Sequence, residues 1–154
     1  MYASQRLGKQ IGKGGFGTVF KAFDGQTGWI VAIKRISLAK VTPEGFKEIQ
    51  DEVKLLHGLE HDNIVRYIDV ATEGGHFYIV LEFVEGGSLL SMVDSFGALS
   101  EPLTAVYVAQ VLRGLNFLHS KGVVHRDIKA GNLLLTKSAV VKLADFGLAM
   151  SMRS

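Results

Sequence analysis

The sequence contains no cysteine, which excludes a disulfide framework, thiol chemistry and a cysteine-based zinc site. It has no Asn-x-Ser/Thr sequon. Its opening stretch, Met1 to Lys9, lacks the apolar segment of a signal peptide. The longest apolar tract, residues 77–84, is interrupted by Glu82 and falls far short of the roughly 20 residues a membrane-spanning helix needs. An excess of one charge is missing too. Lys and Arg number 17 against 15 Asp and Glu, and the balance holds up to Leu81 (10 against 9) and after it (7 against 6). Neither half is basic enough to advertise nucleic acid or an anionic membrane. A soluble, cytoplasmic protein is expected, with no nucleic-acid partner and no membrane span.

Apolar residues make up 47% of the 154, enough for a sizeable core without metal or disulfide staples. Charged residues at 21%, evenly signed, exclude intrinsic disorder. Glycine is in excess: 18 of 154 is about 12%, against an average near 7%. Some of those glycines are expected where backbone must approach something closely.

The first third reads as strands, at 6–11, 18–23 and 29–36, with a turn over 24–28. The period then changes. Thr42 can cap, Pro43 suits a first turn, and Phe46, Ile49, Val53 and Leu56 recur at helical steps, predicting a helix over 43–56. A hairpin of 65–71 and 76–83 follows. After Glu85-Gly86-Gly87 the chain turns helical. Ser100 is expected to cap a long helix with apolar Val108, Val111, Leu112, Leu115 and Leu118, ended by Lys121-Gly122. Short strands at 133–136 and 140–143 close the pattern. Strands with one helix, then helices with small hairpins, make an α+β chain in two segregated parts.

Three stretches carry chemistry. Gly12-Lys13-Gly14-Gly15-Phe16-Gly17-Thr18-Val19 holds a G-x-G-x-x-G run. A dinucleotide-binding loop would lead from strand into helix, whereas Thr18-Val19-Phe20 leads into a second strand. A glycine-rich hairpin can lie over a phosphate chain and offer backbone N–H groups; a plain flexible hairpin is the alternative. Lys34 sits in the otherwise apolar Trp29-Ile30-Val31-Ala32-Ile33-Lys34, where an ammonium needs an anion unless it snorkels from an edge strand. Glu48 and Glu52 are candidate partners, and Glu52 lies nearer the buried stripe. In the second half stand His125-Arg126-Asp127-Ile128-Lys129-Ala130-Gly131-Asn132 and Ala144-Asp145-Phe146-Gly147. Asp127, Asn132 and Asp145 supply hard oxygen ligands and a proton acceptor, and Lys129 adds a positive charge. Such a set suits Mg²⁺ and phosphate better than zinc.

In this order, the glycine loop, V-A-I-K, H-R-D-x-K-x-x-N and D-F-G resemble the eukaryotic protein kinases over residues 6–149. Lys129 resembles Ser/Thr kinases, not tyrosine kinases. The Ile128-to-Asn132 variant, Glu52-Val53-Lys54-Leu55-Leu56 and His61-Asp62-Asn63-Ile64-Val65 resemble the branch of MAP-kinase-cascade kinases, close to septation-network and plant MAP-kinase-kinase-kinase types. The resemblance implies a complete β-rich N-terminal lobe with one helix over 1–84. It implies a partial C-terminal lobe over 85–154, with hinge, two helices, catalytic loop and D-F-G.

It also implies roles. Gly12, Gly14 and Gly17 would roof the ATP phosphates. Lys34, held by Glu52, would contact the α- and β-phosphates. Asp127 would orient the substrate hydroxyl and accept its proton, with Lys129 neutralising the γ-phosphate and Asn132 and Asp145 holding Mg²⁺. Ile11, Val19, Ala32 and Leu134 would enclose adenine, bonded at the backbone of Glu82 and Val84, with Leu81 as gatekeeper. Leu56, Tyr67, His125 and Phe146 would stack as a hydrophobic spine, and Arg126 would grip an activation-loop phosphate.

The implied reaction is transfer of the ATP γ-phosphate to a protein Ser/Thr hydroxyl, in a MAP-kinase-like or cell-division cascade. The implied partners are ATP, a protein substrate, and an upstream activating kinase or small GTPase. The family pattern continues into an activation loop, A-P-E and further helices. The 154 residues therefore read as the front of such a domain, with little or no activity expected of them alone. A non-catalytic ATP-binding or interaction module is the other reading. A competing string, His57-Gly58-Leu59-Glu60-His61, matches the H-x-x-E-H of inverted zinc peptidases. That chemistry needs both histidines on one face of a continuous helix, which Gly58 opposes.

Overall fold

The computed structural model of the chain describes residues 5–14, 17–145 and 150–151. The chain divides into two compact units, one of Met1–Leu59 with Arg66–Phe83, the other of Glu60–Val65 with Val84–Ser154.

In the first unit, β1 (Gln5–Gly14), β2 (Gly17–Asp24), β3 (Ile30–Ser37), β4 (Tyr67–Glu73) and β5 (His76–Glu82) form one antiparallel sheet in the order β1-β2-β3-β5-β4. Turn chemistry sets the hairpins. The Asp24 carboxylate accepts the Gln26 N–H at 3.1 Å and the Thr27 hydroxyl at 2.7 Å. Gly74 and Gly75, at φ 57° and 74°, make the two-residue turn between β4 and β5, where both central residues need positive φ.

Register then sorts the side chains. One face holds the buried cluster Ala22, Val31, Ile33 and Val80, with Leu7, Ile68 and Tyr78 packed on it. The other face carries Gly12, Val19, Ala32, Lys34, Ile79 and Leu81. Gly12 stands opposite Val19, Val19 opposite Lys34, Lys34 opposite Ile79, and Ala32 opposite Leu81. On this second face Phe77 stands opposite Ile36, and the Phe46 ring meets it edge-on at 5.3 Å. Phe46 belongs to α1 (Pro43–Leu56), so α1 packs on the face that carries Lys34. Thr42 caps α1 by accepting the Gly45 N–H at 3.1 Å. The helix ends at Leu56, and Gly58 follows at φ 86°. The H-x-x-E-H string is therefore not on a continuous helix.

The second unit holds α2 (Leu89–Phe96), α3 (Glu101–Ser120) and two small hairpins. β6 (Val123–Val124) pairs with β9 (Met150–Ser151), and β7 (Leu133–Leu135) pairs with β8 (Val141–Leu143). Three expectations change here. Residue 65 is not in a hairpin strand: the Val65 N–H donates to the Leu143 carbonyl at 2.9 Å, and Ile64 bridges Leu143 in parallel. Ser100 stands at the start of α3 with extended backbone, but its side chain makes no capping bond. Pro102 removes one of the two N–H groups such a cap uses, and the Thr104 hydroxyl donates to the Ser100 carbonyl instead, at 2.9 Å. Finally, α3 buries one stripe, Tyr107, Val111, Gly114 and Leu118. Val108 and Leu112, which share its apolar spacing, are exposed by 48% and 58%, alongside exposed Leu103 and Val106.

Candidate active site

His125 is buried and anchors the loop of the second unit that carries Asp127. Its Nδ1 accepts the Asp127 N–H at 3.2 Å, so the ring proton must sit on Nε2, which donates to the Ala144 carbonyl at 3.1 Å. Burial pushes the imidazole pKa below its ordinary value, while the bond to Ala144 opposes that shift. The ring is therefore neutral. Between these residues Arg126 adopts a left-handed φ of 66°, a conformation that costs a non-glycine residue roughly 1–3 kcal/mol. The turn it makes sends His125 inward, 1% exposed, and leaves the Asp127 side chain 41% exposed.

Asp127 Oδ2 accepts Lys129 Nζ at 2.7 Å and Asn132 Nδ2 at 2.9 Å, and the same Nδ2 donates to the Asp127 carbonyl at 2.8 Å. A carboxylate and a carbonyl only accept, so the Asn132 amide must turn its NH₂ toward them. That leaves Asn132 Oδ1 as an oxygen ligand. The bond from Lys129 holds the Asp127 carboxyl below the usual carboxylate range; desolvation works against it and the Asn132 bond adds to it. Asp127 is thus an anion at neutral pH and a weak base, suited to orienting a hydroxyl.

Asp145 follows β8 and has a left-handed φ of 53°. The residue before it is held on both sides. The Ala144 N–H donates to the Asn132 carbonyl at 2.9 Å, and its carbonyl receives His125. One carboxylate and one amide oxygen at the open end of the β7–β8 hairpin fit Mg²⁺, which completes its shell with water and substrate phosphates. Among the described residues no three His, Cys, Asp or Glu side chains cluster as a zinc site would require. His61 of the peptidase-like string stacks on Phe117 at 4.8 Å, and its Nδ1 accepts the Asn63 N–H.

In the first unit the sheet face of Gly12, Val19, Ala32, Lys34 and Leu81 gathers most of the expected nucleotide residues. Ile11 is the exception. It lies where the β1–β2 register shifts, and it is 48% exposed. Glu52 is half-buried on α1, whereas Glu48 is exposed. A Cβ at Gly14 would meet nothing within 4 Å, and one at Gly12 only ordinary contacts with Val19. Gly17 differs: a Cβ there would lie 2.5 Å from the Arg35 carbonyl, so this glycine is required by the sheet itself. The Glu82 N–H donates to the Arg66 carbonyl at 2.9 Å, and its carboxylate accepts the Arg66 N–H at 3.2 Å. Val84 is buried, and Leu134 is half-buried on β7 opposite Lys142. Gly15 and Phe16 of the glycine loop, and Phe146 and Gly147 of the D-F-G string, lie outside the described residues.

The sequence model of the family described as "Protein kinase domain" matches residues 5–154. The chain belongs to the protein kinase family. Among kinases it is 47% identical, over 148 residues, to a Dictyostelium discoideum protein named "Probable serine/threonine-protein kinase" (96% of this chain, 30% of that protein). It is 49% identical to MAP3K epsilon protein kinase 1 of Arabidopsis thaliana over 145 residues (93% and 11%). With Cell division control protein 7 of Schizosaccharomyces pombe it shares 44% over 147 residues (96% and 14%). The chain spans 30% or less of the length of these relatives.

Kinases use ATP with Mg²⁺ and act on protein substrates in general, and the fold agrees. The five-stranded sheet with α1 matches a kinase N-terminal lobe, and the second unit matches the start of the C-terminal lobe. No helix among the described residues is long and apolar enough to cross a membrane.

Sequence reading missed the parts that hold this candidate site in shape. Ala144 acts through its backbone, which no side-chain pattern reveals. Asn63, noticed only within a family-like string, is buried and donates to Gln110 at 3.2 Å and to the Val141 carbonyl at 2.9 Å. An Asn between the predicted helix and the next predicted strand is the faint signal that was available.

Proposed function

We propose that this protein is an ATP-dependent Ser/Thr protein kinase, transferring the γ-phosphate of ATP to a protein hydroxyl. The observation that carries the reading is the Asp127–Lys129–Asn132 cluster, with one carboxylate oxygen doubly bonded and one amide oxygen left over. In this reading Gly12, Gly14 and Gly17 offer backbone to the phosphates, and Lys34, steadied by Glu52, neutralises the α- and β-phosphates. Val19, Ala32, Leu81, Leu134 and Ile11 take the adenine, with the backbone of Glu82 and Val84 as its polar partners.

Asp127 Oδ1 receives the substrate hydroxyl. The hydroxyl oxygen bonds to the γ-phosphorus as the bridge to the β-phosphate breaks, and the hydroxyl proton passes to Asp127. Lys129, 59% exposed at its side chain, swings from Asp127 to the transferring phosphoryl group. Asn132 and Asp145 hold Mg²⁺, which when bound neutralises the charge on the phosphate oxygens. The same reading divides the chain near residue 84 into an N-terminal lobe and the front of a C-terminal one. The names of two relatives favour a role in a MAP-kinase-kinase-kinase or cell-division cascade; a cytoplasmic location and an upstream kinase or small GTPase join the proposal from the family resemblance alone.

The test is thermal unfolding with millimolar ATP–Mg²⁺. Ligand at 100 times its Kd stabilises by about 2.7 kcal/mol, or about 5–10 °C for a chain of this size. Lys34→Met is expected to lose most of that rise. A wild type with no shift refutes nucleotide binding altogether. The binding-module alternative is separated by labelled phosphate transfer to a Ser/Thr peptide, assayed with a chain that also carries the activation loop and later helices of the family pattern: transfer lost in Asp127→Asn marks a kinase, and none marks a module.

A further inference from the structure

Among the described residues three non-glycine residues have positive φ: Arg126 and Asp145 belong to the candidate site, and Ala139, at φ 60°, lies at the far end of the β7–β8 hairpin. A left-handed alanine persists only where its surroundings over-determine it. Thr136 closes the turn, its carbonyl accepting the Ala139 N–H at 3.1 Å and its hydroxyl the Val140 N–H at 3.0 Å, and Gln110 adds a clamp from outside the hairpin. From α3, Gln110 Nε2 donates to the Ala139 carbonyl at 3.2 Å, while its Oε1 accepts the Val141 N–H at 2.8 Å and Asn63 Nδ2 at 3.2 Å. One side chain thus binds the hairpin tip, the first N–H of β8 and the buried Asn63.

Asn63 holds the same edge of β8, the one turned away from β7. Asn63 Nδ2 donates to the Val141 carbonyl at 2.9 Å, and the Asn63 carbonyl accepts the Leu143 N–H at 2.9 Å. One helical turn after Gln110, Gly114 leaves no room for a Cβ, which would lie 2.9 Å from both the Asn63 carbonyl and Leu143 Cδ1. At Gly114, α3 lies in close contact with residue 63 and β8.

The hairpin is also the frame of the metal pair. Asn132 directly precedes β7, Asp145 follows β8 after one residue, and the Ala144–Asn132 bond closes the open end. The register of β7 against β8 therefore sets where Asn132 Oδ1 stands relative to Asp145. We infer that Gln110 is a positioning residue for Mg²⁺: by fixing the Ala139 turn and the start of β8, it sets the spacing of Asn132 and Asp145 from the opposite end of their hairpin. The inference rests on the kinase reading of that pair.

The experiment titrates Mg²⁺ against a fluorescent ATP analogue bound by the 154-residue chain, with a metal-free control. Groups that orient metal ligands typically change metal affinity by about 10–100-fold. Gln110→Met is expected to raise the Mg²⁺ concentration for half-maximal effect about tenfold, and to leave nucleotide binding without metal unchanged. Adding Ala139→Gly should recover at least a third of that loss on a logarithmic scale, because glycine takes the left-handed turn without a clamp. Should Gln110→Met fail to fold, Gln110→Glu decides, since it keeps the acceptor and removes only the donor to Ala139. Its Mg²⁺ requirement should rise and fall back with Ala139→Gly. A folded Gln110 variant with the wild-type Mg²⁺ requirement overturns the inference, as does a rise that Ala139→Gly leaves untouched. A wild type that binds no nucleotide overturns the kinase reading, and this inference with it.

Discussion

Gly114→Ala reverses sign between a sequence argument and a structural one. In the middle of a 20-residue helix, alanine is favoured over glycine by about 1 kcal/mol, so propensity alone predicts stabilisation. The structure predicts the opposite. The new methyl would lie 2.9 Å from the Asn63 carbonyl oxygen and 2.9 Å from Leu143 Cδ1, with Asn63 Cβ at 3.3 Å. Leu143 can rotate away, but the Asn63 carbonyl is backbone and already accepts the Leu143 N–H at 2.9 Å. Overpacking costs about 1–3 kcal/mol, and weakening that buried bond adds about 0.5–1.5. Subtracting the propensity gain leaves about 2 kcal/mol of net destabilisation, a fall in Tm of about 4–8 °C for a chain of this length. Thermal unfolding followed by circular dichroism, with urea unfolding as a second measure, is the assay. A Tm equal to or above wild type would show that α3 can move off residue 63, and the rigidity argued for β8 would be wrong.

Two glycines of the proposed phosphate loop should behave differently. Gly17→Ala meets the Arg35 carbonyl and should cost about 1–3 kcal/mol of stability, whereas Gly14→Ala enters open space and should be neutral in Tm but weaken ATP–Mg²⁺ binding. Equal Tm losses in the two would contradict this. For His125, the folded pKa lies below the unfolded value of about 6.5, so the unfolded chain binds more protons as pH falls through that value. Its contribution is complete above about pH 6.5 and declines below it. The Tm advantage of wild type over His125→Phe should therefore shrink from pH 7.5 to pH 5.5; parallel curves would exclude a buried neutral ring.

The local level was largely legible. Thr42-Pro43 and the spacing through Leu56 gave α1 its limits, because a capping hydroxyl and a proline in the first turn act within a few residues. Gly74-Gly75 marked its hairpin for the same reason. Legibility failed where distant segments compete. Val65 reads as strand, yet its N–H goes to Leu143, 78 residues away in sequence. Ser100 looks like a cap, and its neighbour Pro102 with Thr104 redirects the bonding. Val108 and Leu112 have the spacing of a core, but which apolar stripe of α3 is buried depends on what packs against it.

By itself the sequence supplied the proposed chemistry: a carboxylate, a lysine and candidate oxygen ligands at fixed spacings in short loops, and a glycine hairpin ahead of a half-buried lysine. Residue types and short spacings carry that information, since reactivity depends on functional groups and local reach. Only the tertiary structure decided which oxygen of Asp127 and which end of the Asn132 amide are left for ligands, and that His125 is held neutral by burial. It alone showed that Gly17 and Gly114 are glycines because a backbone carbonyl stands in the way. Those outcomes turn on atoms a few ångströms apart in space and tens of residues apart in sequence, where hydrogen-bond geometry and packing decide and residue patterns are silent.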